Sequence, residues 1–200
     1  MIFGIKKEKN FAPLLSWLHV QIPILNEWEF NMVETLRNDL IDNVMAWNED
    51  ELKMFCIAPL LNLVHFSHYP YYKSFTQRQL FIKNDIVETQ GNVEFMIAKG
   101  EQNPQNPFFF LHEYKQENLR NNDPLGQLLV AMVAAQLQNT ENMPLYGCYV
   151  SWRNWFFVLL NKQQYGLSLA YDLTISEKML EVIGILRATK AEIEKYFGIE

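Results

Sequence analysis

Residues Phe108–Glu117 read FFFLHEYKQE, an apolar run that ends in an acid, a tyrosine and a lysine. Side chains alternate along a strand, so Glu113 and Lys115 share one face and Tyr114 takes the other. His112 then falls opposite Glu113, on the core side. A carboxylate and an ammonium closing a buried strand are costly unless they have partners or a task. The bland reading is a strand-end ion pair facing solvent. The functional reading is a pair that binds a metal ion, a nucleophilic water or a phosphate.

The segments around this strand set the fold class. Downstream, Asp123-Pro124 supplies a cap and a proline at the first helical position, and LGQLLVAMVAAQLQN follows. That helix is apolar almost all round and is therefore central. Strands are expected at Leu145–Trp152, Trp155–Asn161 and Tyr165–Asp172, with turns at Arg153-Asn154 and Lys162-Gln163. Thr174 or Ser176 caps a final helix over Glu177–Tyr196, with Met179, Val182, Ile183, Leu186 and Ile193 on one face.

Upstream, strands are expected at Gln79–Glu88 and Asn92–Ala98, joined by a turn at Gln90-Gly91. Lys99–Pro107 is a loop, and residues 67–78 are a polar and aromatic connection. Asn48-Glu49-Asp50-Glu51 starts a helix, with Asn48 as cap and Glu51 at the reciprocal position of a capping box. Pro59 should kink or divide that helix. Residues 1–47 read as an N-terminal helical extension. Leu25, Trp28, Met32, Leu36 and Leu40 lie at helical spacing along Asn26–Met45. The whole is a mixed α/β chain, a central sheet flanked by helices, with a 1–47 extension and a 48–200 domain.

Composition narrows the function classes. Apolar residues make up 49% of the chain, with 14 Phe, 9 Tyr and 5 Trp, so it is globular. Net charge is −6, against a broad non-specific coat on nucleic acid. The two cysteines, Cys56 and Cys148, form no CxxC, which argues against a disulfide framework or a structural zinc site and points to a reducing, cytoplasmic setting. No apolar run approaches a membrane span, so no membrane partner is expected. GxSxG, Gly-rich phosphate loops and HExxH are missing.

A second acid, Glu94, sits in the apolar run Val93-Glu94-Phe95-Met96-Ile97. If the strands carrying Glu94 and Glu113 pair, the two carboxylates can converge on one side of the sheet, a donor set suited to magnesium. A second acid-x-Lys triplet, Glu51-Leu52-Lys53, opens a helix and reads as capping plus a solvated turn. Other candidates favour bland readings. His65 and His68 lack a third ligand and read as surface or capping residues. Gln136 satisfies backbone groups. Tyr146, Tyr149, Trp152 and Trp155 read as core aromatics ahead of base-stacking platforms. Arg78, Arg120 and Arg153 are scattered candidates for phosphate contacts.

Taken together, NEDELKMFCIAPLL, GNVEF, HEYK, DPLGQLLVAMVAAQ and LYGCYVSWRNWFFVL resemble the PD-(D/E)XK nuclease-like superfamily over about residues 48–172. The last piece looks like the strand-turn-strand of type I restriction nuclease domains and related bacterial proteins. The resemblance implies a restriction-endonuclease-like core. It implies Glu94 and Glu113 as Mg2+ ligands, Lys115 as the catalytic lysine, and Glu51 or Glu49 as the helix-borne acid. Gln127 matches a helix glutamine near the site, and Arg120 lies in the segment before that helix. The first acid is Glu94 where the family has Asp. The implied activity is metal-dependent hydrolysis of phosphodiester bonds in DNA or, second, RNA. The alternative is a catalytically inactive nuclease-fold binding or scaffold protein, working with a protein partner or as a homo-oligomer.

Overall fold

The computed structural model describes residues 4–83, 88–115 and 123–199, with backbone alone for 81–83, 88–92 and 115. Among them, nine strands form one sheet between two helical layers. The expected class, a mixed sheet flanked by helices, is the one observed.

The chain opens with a short edge strand β1 (Lys6–Lys7) and helices α1 (Ala12–Leu18) and α2 (Glu27–Asn43). Asn26 and Glu29 form a capping box that starts α2. Its buried side is Val33, Leu36 and Leu40. Trp28, expected on that side, is 66% exposed because the face turns toward Val33. A second capping box, Asn48 with Glu51, starts α3 (Glu49–Leu52). A π-helical turn, Lys53–Ile57, follows, and α4 (Ala58–Val64) begins with Pro59 in its first turn. The proline lacks an N–H, so it fits that turn and divides the helix as its sequence position suggests. His65, left-handed at φ 55°, ends α4.

After β2 (Ser67–His68), strands β3 (Tyr72–Lys83), β4 (Glu88–Lys99) and β5 (Gln105–Lys115) form an antiparallel meander. Two boundaries differ from the sequence reading. Residues 72–78 belong to β3, not to a connection: Tyr72 and Phe75 are buried, and Lys73 to Thr76 and Arg78 pair with β4. Gln90-Gly91 lies within β4 rather than in a turn.

Helix α5 (Pro124–Gln138) crosses over to β6 (Leu145–Ser151), which runs parallel to β5. A hairpin leads to β7 (Asn154–Asn161), which pairs with both β8 (Gln164–Leu167) and β9 (Tyr171–Asp172). The expected single strand 165–172 is thus two short ones. Helix α6 (Ser176–Phe197) closes the chain.

The two faces of the sheet have different cores. One packs on α5 and contains Val93, Met96, Leu111, Leu128, Met132 and Val158. The other packs on the N-terminal helices, the π-helical turn, α4 and α6, and contains Ile97, Phe110, Trp155, Phe157 and Met179. Phe11, Leu14, Trp17, Val33 and Leu40 belong to that second core. The stretch read as an extension therefore packs as an integral part of the domain. Among the described residues no helix is long and apolar enough to cross a membrane.

Candidate functional site

Glu113 lies near the carboxyl end of β5, beside parallel β6, where it pairs with Tyr149. His112, Phe110 and Tyr114 face the N-terminal layer: the His112 ring sits 5.5 Å from Tyr114 and 5.1 Å from Trp155. Alternation therefore assigns Glu113 to the α5 face, with Leu111 and Tyr149. The residue is only 5% exposed. Lys115 ends the strand, opposite Ser151. Its side chain, like the whole of Arg120, lies outside the described residues. Gln127 stands in the first turns of α5, the helix that covers the Glu113 face.

Glu94 sits on the neighbouring strand. The β4–β5 ladder pairs Met96 with Leu111 and ends at Phe95 with His112, so Glu94 and Glu113 lie one step beyond its last pair. The strands pair as the sequence predicts, but the two acids do not share a face. Val93 and Met96 both belong to the α5 core although they are three residues apart. Glu94 and Phe95 between them face the opposite layer, a break in alternation without an inserted residue. On β3 the ladder runs Thr76 to Phe95 and Arg78 to Val93, and Gln77 between them takes φ 52°.

This break delivers Glu94, 8% exposed, to the π-helical turn. Lys53 Nζ donates to Glu94 Oε2 at 3.2 Å. It also lies 2.9 Å from Glu49 Oε1 and 3.6 Å from Asp50 Oδ1. Gln77 Nε2 donates to the same Glu94 oxygen. The Tyr114 phenol shares a hydrogen bond with Glu94, and Lys53 Nζ stands 4.2 Å from the Tyr114 ring centroid. Burial first, then the charge of Glu94, hold the Tyr114 phenol far above its usual range. It stays neutral and is no nucleophile. Burial opposes the Lys53 charge, but hydrogen bonds to Glu49 and Glu94 outweigh it, so the Lys53 pKa is raised.

Lys53 and Gln77 are the residues that sequence reading missed. Lys53 was assigned to a solvated turn; its side chain is 18% exposed and is the centre of the cluster. Its signal lies in the local structure, because π-helical turns insert one residue into a helix and occur often at functional sites. Glu51 is a capping residue, its carboxylate accepting from Asn48 N at 2.7 Å. Glu49 is the helix acid that reaches the cluster.

Glu94 and Glu113 are both hard oxygen donors of the kind magnesium takes. They lie on opposite faces of the sheet and Lys53 meets the Glu94 charge, so the two as placed do not converge on one ion. Among the described residues no three His, Cys, Asp or Glu side chains converge as a metal-holding group. Burial raises both thiols, Cys56 to about 12, so neither is a nucleophile at neutral pH. Gln136 Nε2 donates to the Lys162 carbonyl at 3.0 Å, a backbone-satisfying role. A cavity of about 310 Å³, lined by Phe109, Met143, Tyr146 and Tyr196, lies toward the amino end of β6, away from Glu113. No family model matches this chain, and no curated protein matches it.

Proposed function

We propose that the chain is a nuclease-type protein whose reactive site is the carboxyl end of β5, where Glu113 and Lys115 act on a phosphodiester with a divalent metal. One observation carries the reading. A buried carboxylate closes a central strand beside a parallel neighbour, at the point where the chain leaves for α5. In open α/β sheets ligands bind outside the carboxyl ends of the parallel strands. The strand meander and parallel crossover suit the resemblance drawn from HEYK and DPLGQLL.

Glu113 is the carboxylate on that face that would hold the ion, with DNA as the favoured substrate and RNA second. Magnesium, when bound, lowers the pKa of a water and offsets charge on the phosphate. Glu113 supplies a fixed carboxylate screened from bulk water, which strengthens its hold on a cation. Lys115, read from the sequence onto the same face, orients the water or contacts the phosphate. Gln127, on the helix covering that face, is a positioning residue.

A second reading, a catalytically inactive nuclease-fold binding or scaffold protein, is favoured by Glu94. Its carboxylate is already neutralised by Lys53, on the other face from Glu113. Nicking of supercoiled plasmid separates the two. Cutting that needs Mg2+ and is lost in Glu113→Gln supports the nuclease; no cutting by the wild type under any divalent metal supports the inactive module.

A further inference from the structure

We propose that the cavity between the amino ends of β5 and β6 and the last turns of α6 binds a free amino acid with a large apolar side chain. The cavity lies four residues back along β5 from Glu113, roughly 13 Å by strand rise. It therefore stands or falls apart from the nuclease-type reading.

Three observations carry it. First, β5 departs from regular alternation to build the cavity. The β4–β5 ladder pairs Ile97 with Phe110 and Ala98 with Phe108, which leaves Phe109 as an inserted residue on β5. Phe108 and Leu111 keep the α5 face, while Phe109 and Phe110 both belong to the core on the α6 side. A β-bulge re-aims a side chain in this way, and bulges recur next to active sites. Here the bulge makes Phe109 a wall of the cavity.

Second, the cavity has the size and lining of a small-molecule site. It offers about 310 Å³, and Phe109, Met143, Tyr146, Ile193 and Tyr196 make its lining mostly apolar. The Phe109 and Tyr196 rings meet edge to face at 5.2 Å, and Trp17 backs Tyr146 at 4.8 Å. Rings held in this way form a preformed slot for an apolar side chain.

Third, the cavity is lined by one acid and one base, Glu192 and Lys195, both exposed. They lie one turn apart on α6, at i and i+3. Neither makes an ion pair among the described residues, although Glu34–Arg37 and Lys178–Glu181 pair at the same spacing. The Glu192 charge is felt inside the cavity: burial first, then Glu192, lifts the Tyr146 phenol to about 12. A ligand carrying both an ammonium and a carboxylate satisfies the two residues together, its ammonium on Glu192 and its carboxylate on Lys195. An amine alone leaves Lys195 facing a like charge, and a carboxylic acid alone does the same for Glu192. The pair therefore selects a zwitterion, and the aromatic slot selects its side chain.

Calorimetric titration of the full chain with L-phenylalanine, phenethylamine and hydrocinnamate tests the site. The three share a phenyl ring and differ in their charged groups. L-phenylalanine should bind with a Kd of about 1 mM or below, and each single-charge analogue at least about 5-fold more weakly. L-alanine, with both charges and no ring, should not bind detectably. Glu192 and Lys195 are exposed, so their variants leave the core intact. Glu192→Gln should weaken L-phenylalanine and phenethylamine by about 5-fold but not hydrocinnamate. Lys195→Met should weaken L-phenylalanine and hydrocinnamate by about 5-fold but not phenethylamine. No saturable binding of L-phenylalanine up to about 10 mM, an analogue that binds as tightly as L-phenylalanine, or variants that bind all three ligands like the wild type overturns the proposal. Each of these results leaves Mg2+-dependent cutting at Glu113 untouched, and a failure of cutting leaves this site untouched.

Discussion

Lys53 Nζ lies 3.2 Å from Glu94 Oε2, with both side chains largely shielded from water. A pair in this setting is strongly coupled. Removing one partner of a buried pair leaves an uncompensated charge, at a cost of about 3–5 kcal/mol. Lys53→Ala should cost about 3 kcal/mol, because Glu94 is left with the neutral donors Gln77 and Tyr114. Glu94→Ala should cost less, because Lys53 keeps Glu49 and Asp50. Urea unfolding of both variants and the double variant should give a coupling energy of about 1–3 kcal/mol. Simple additivity would show that the pair is incidental.

His112 provides a pH-dependent test of the core. The ring is fully buried, neither nitrogen has a hydrogen-bond partner, and burial pulls its pKa down to about 3. Above the unfolded pKa of about 6.5, both states are neutral and the protein keeps its full stability. As pH falls toward 3, the unfolded chain takes up a proton that the folded state refuses. Stability then drops by up to about 1.4 kcal/mol per pH unit. His112→Phe removes this slope and should be at least as stable at pH 7, since an unpartnered buried polar group is lost. Urea midpoints at pH 7 and pH 5 measure it; an unchanged pH slope would contradict the assignment.

The N-terminal helices should be inseparable from the domain. Trp17 Nε1 donates to Thr189 Oγ1 at 3.1 Å, and the hydroxyl passes the chain on to the Ile185 carbonyl. Thr189→Val strands a buried indole N–H and should cost about 1–3 kcal/mol. Deleting residues 1–47 uncovers Cys56, Leu60 and the α6 face, and the six apolar side chains lost from Phe11 to Leu40 account for about 10 kcal/mol. That is comparable to the whole stability of a domain. Thermal melts followed by circular dichroism should show no cooperative transition in the truncated chain.

The sequence made the framework legible where period and punctuation agreed. Asp123-Pro124 marked the start of α5, and Leu145 and Asn161 marked the outer limits of the β6–β7 hairpin. Period-2 alternation separated His112 and Tyr114 from Glu113 correctly. It failed at Glu94, because the break in alternation lies opposite a left-handed backbone at Gln77, and the sequence carries no glycine there to announce it. Lys53 was misread for a related reason. The capping box at Asn48 and Glu51 is real, and it explains the local charges so well that nothing local signals a partner 41 residues away. Residues 72–78 looked like a connection because their apolar positions, Tyr72 and Phe75, do not alternate; Gln77 breaks the pattern further along.

Mg2+-dependent nicking of supercoiled plasmid by the wild type beside Glu113→Gln tests the central claim most directly. The account predicts nicking that chelation abolishes and that Glu113→Gln slows by at least about 100-fold, with the variant folded and its melting temperature near that of the wild type. Equal cutting by the two proteins, or no cutting by the wild type with any divalent metal, would contradict it.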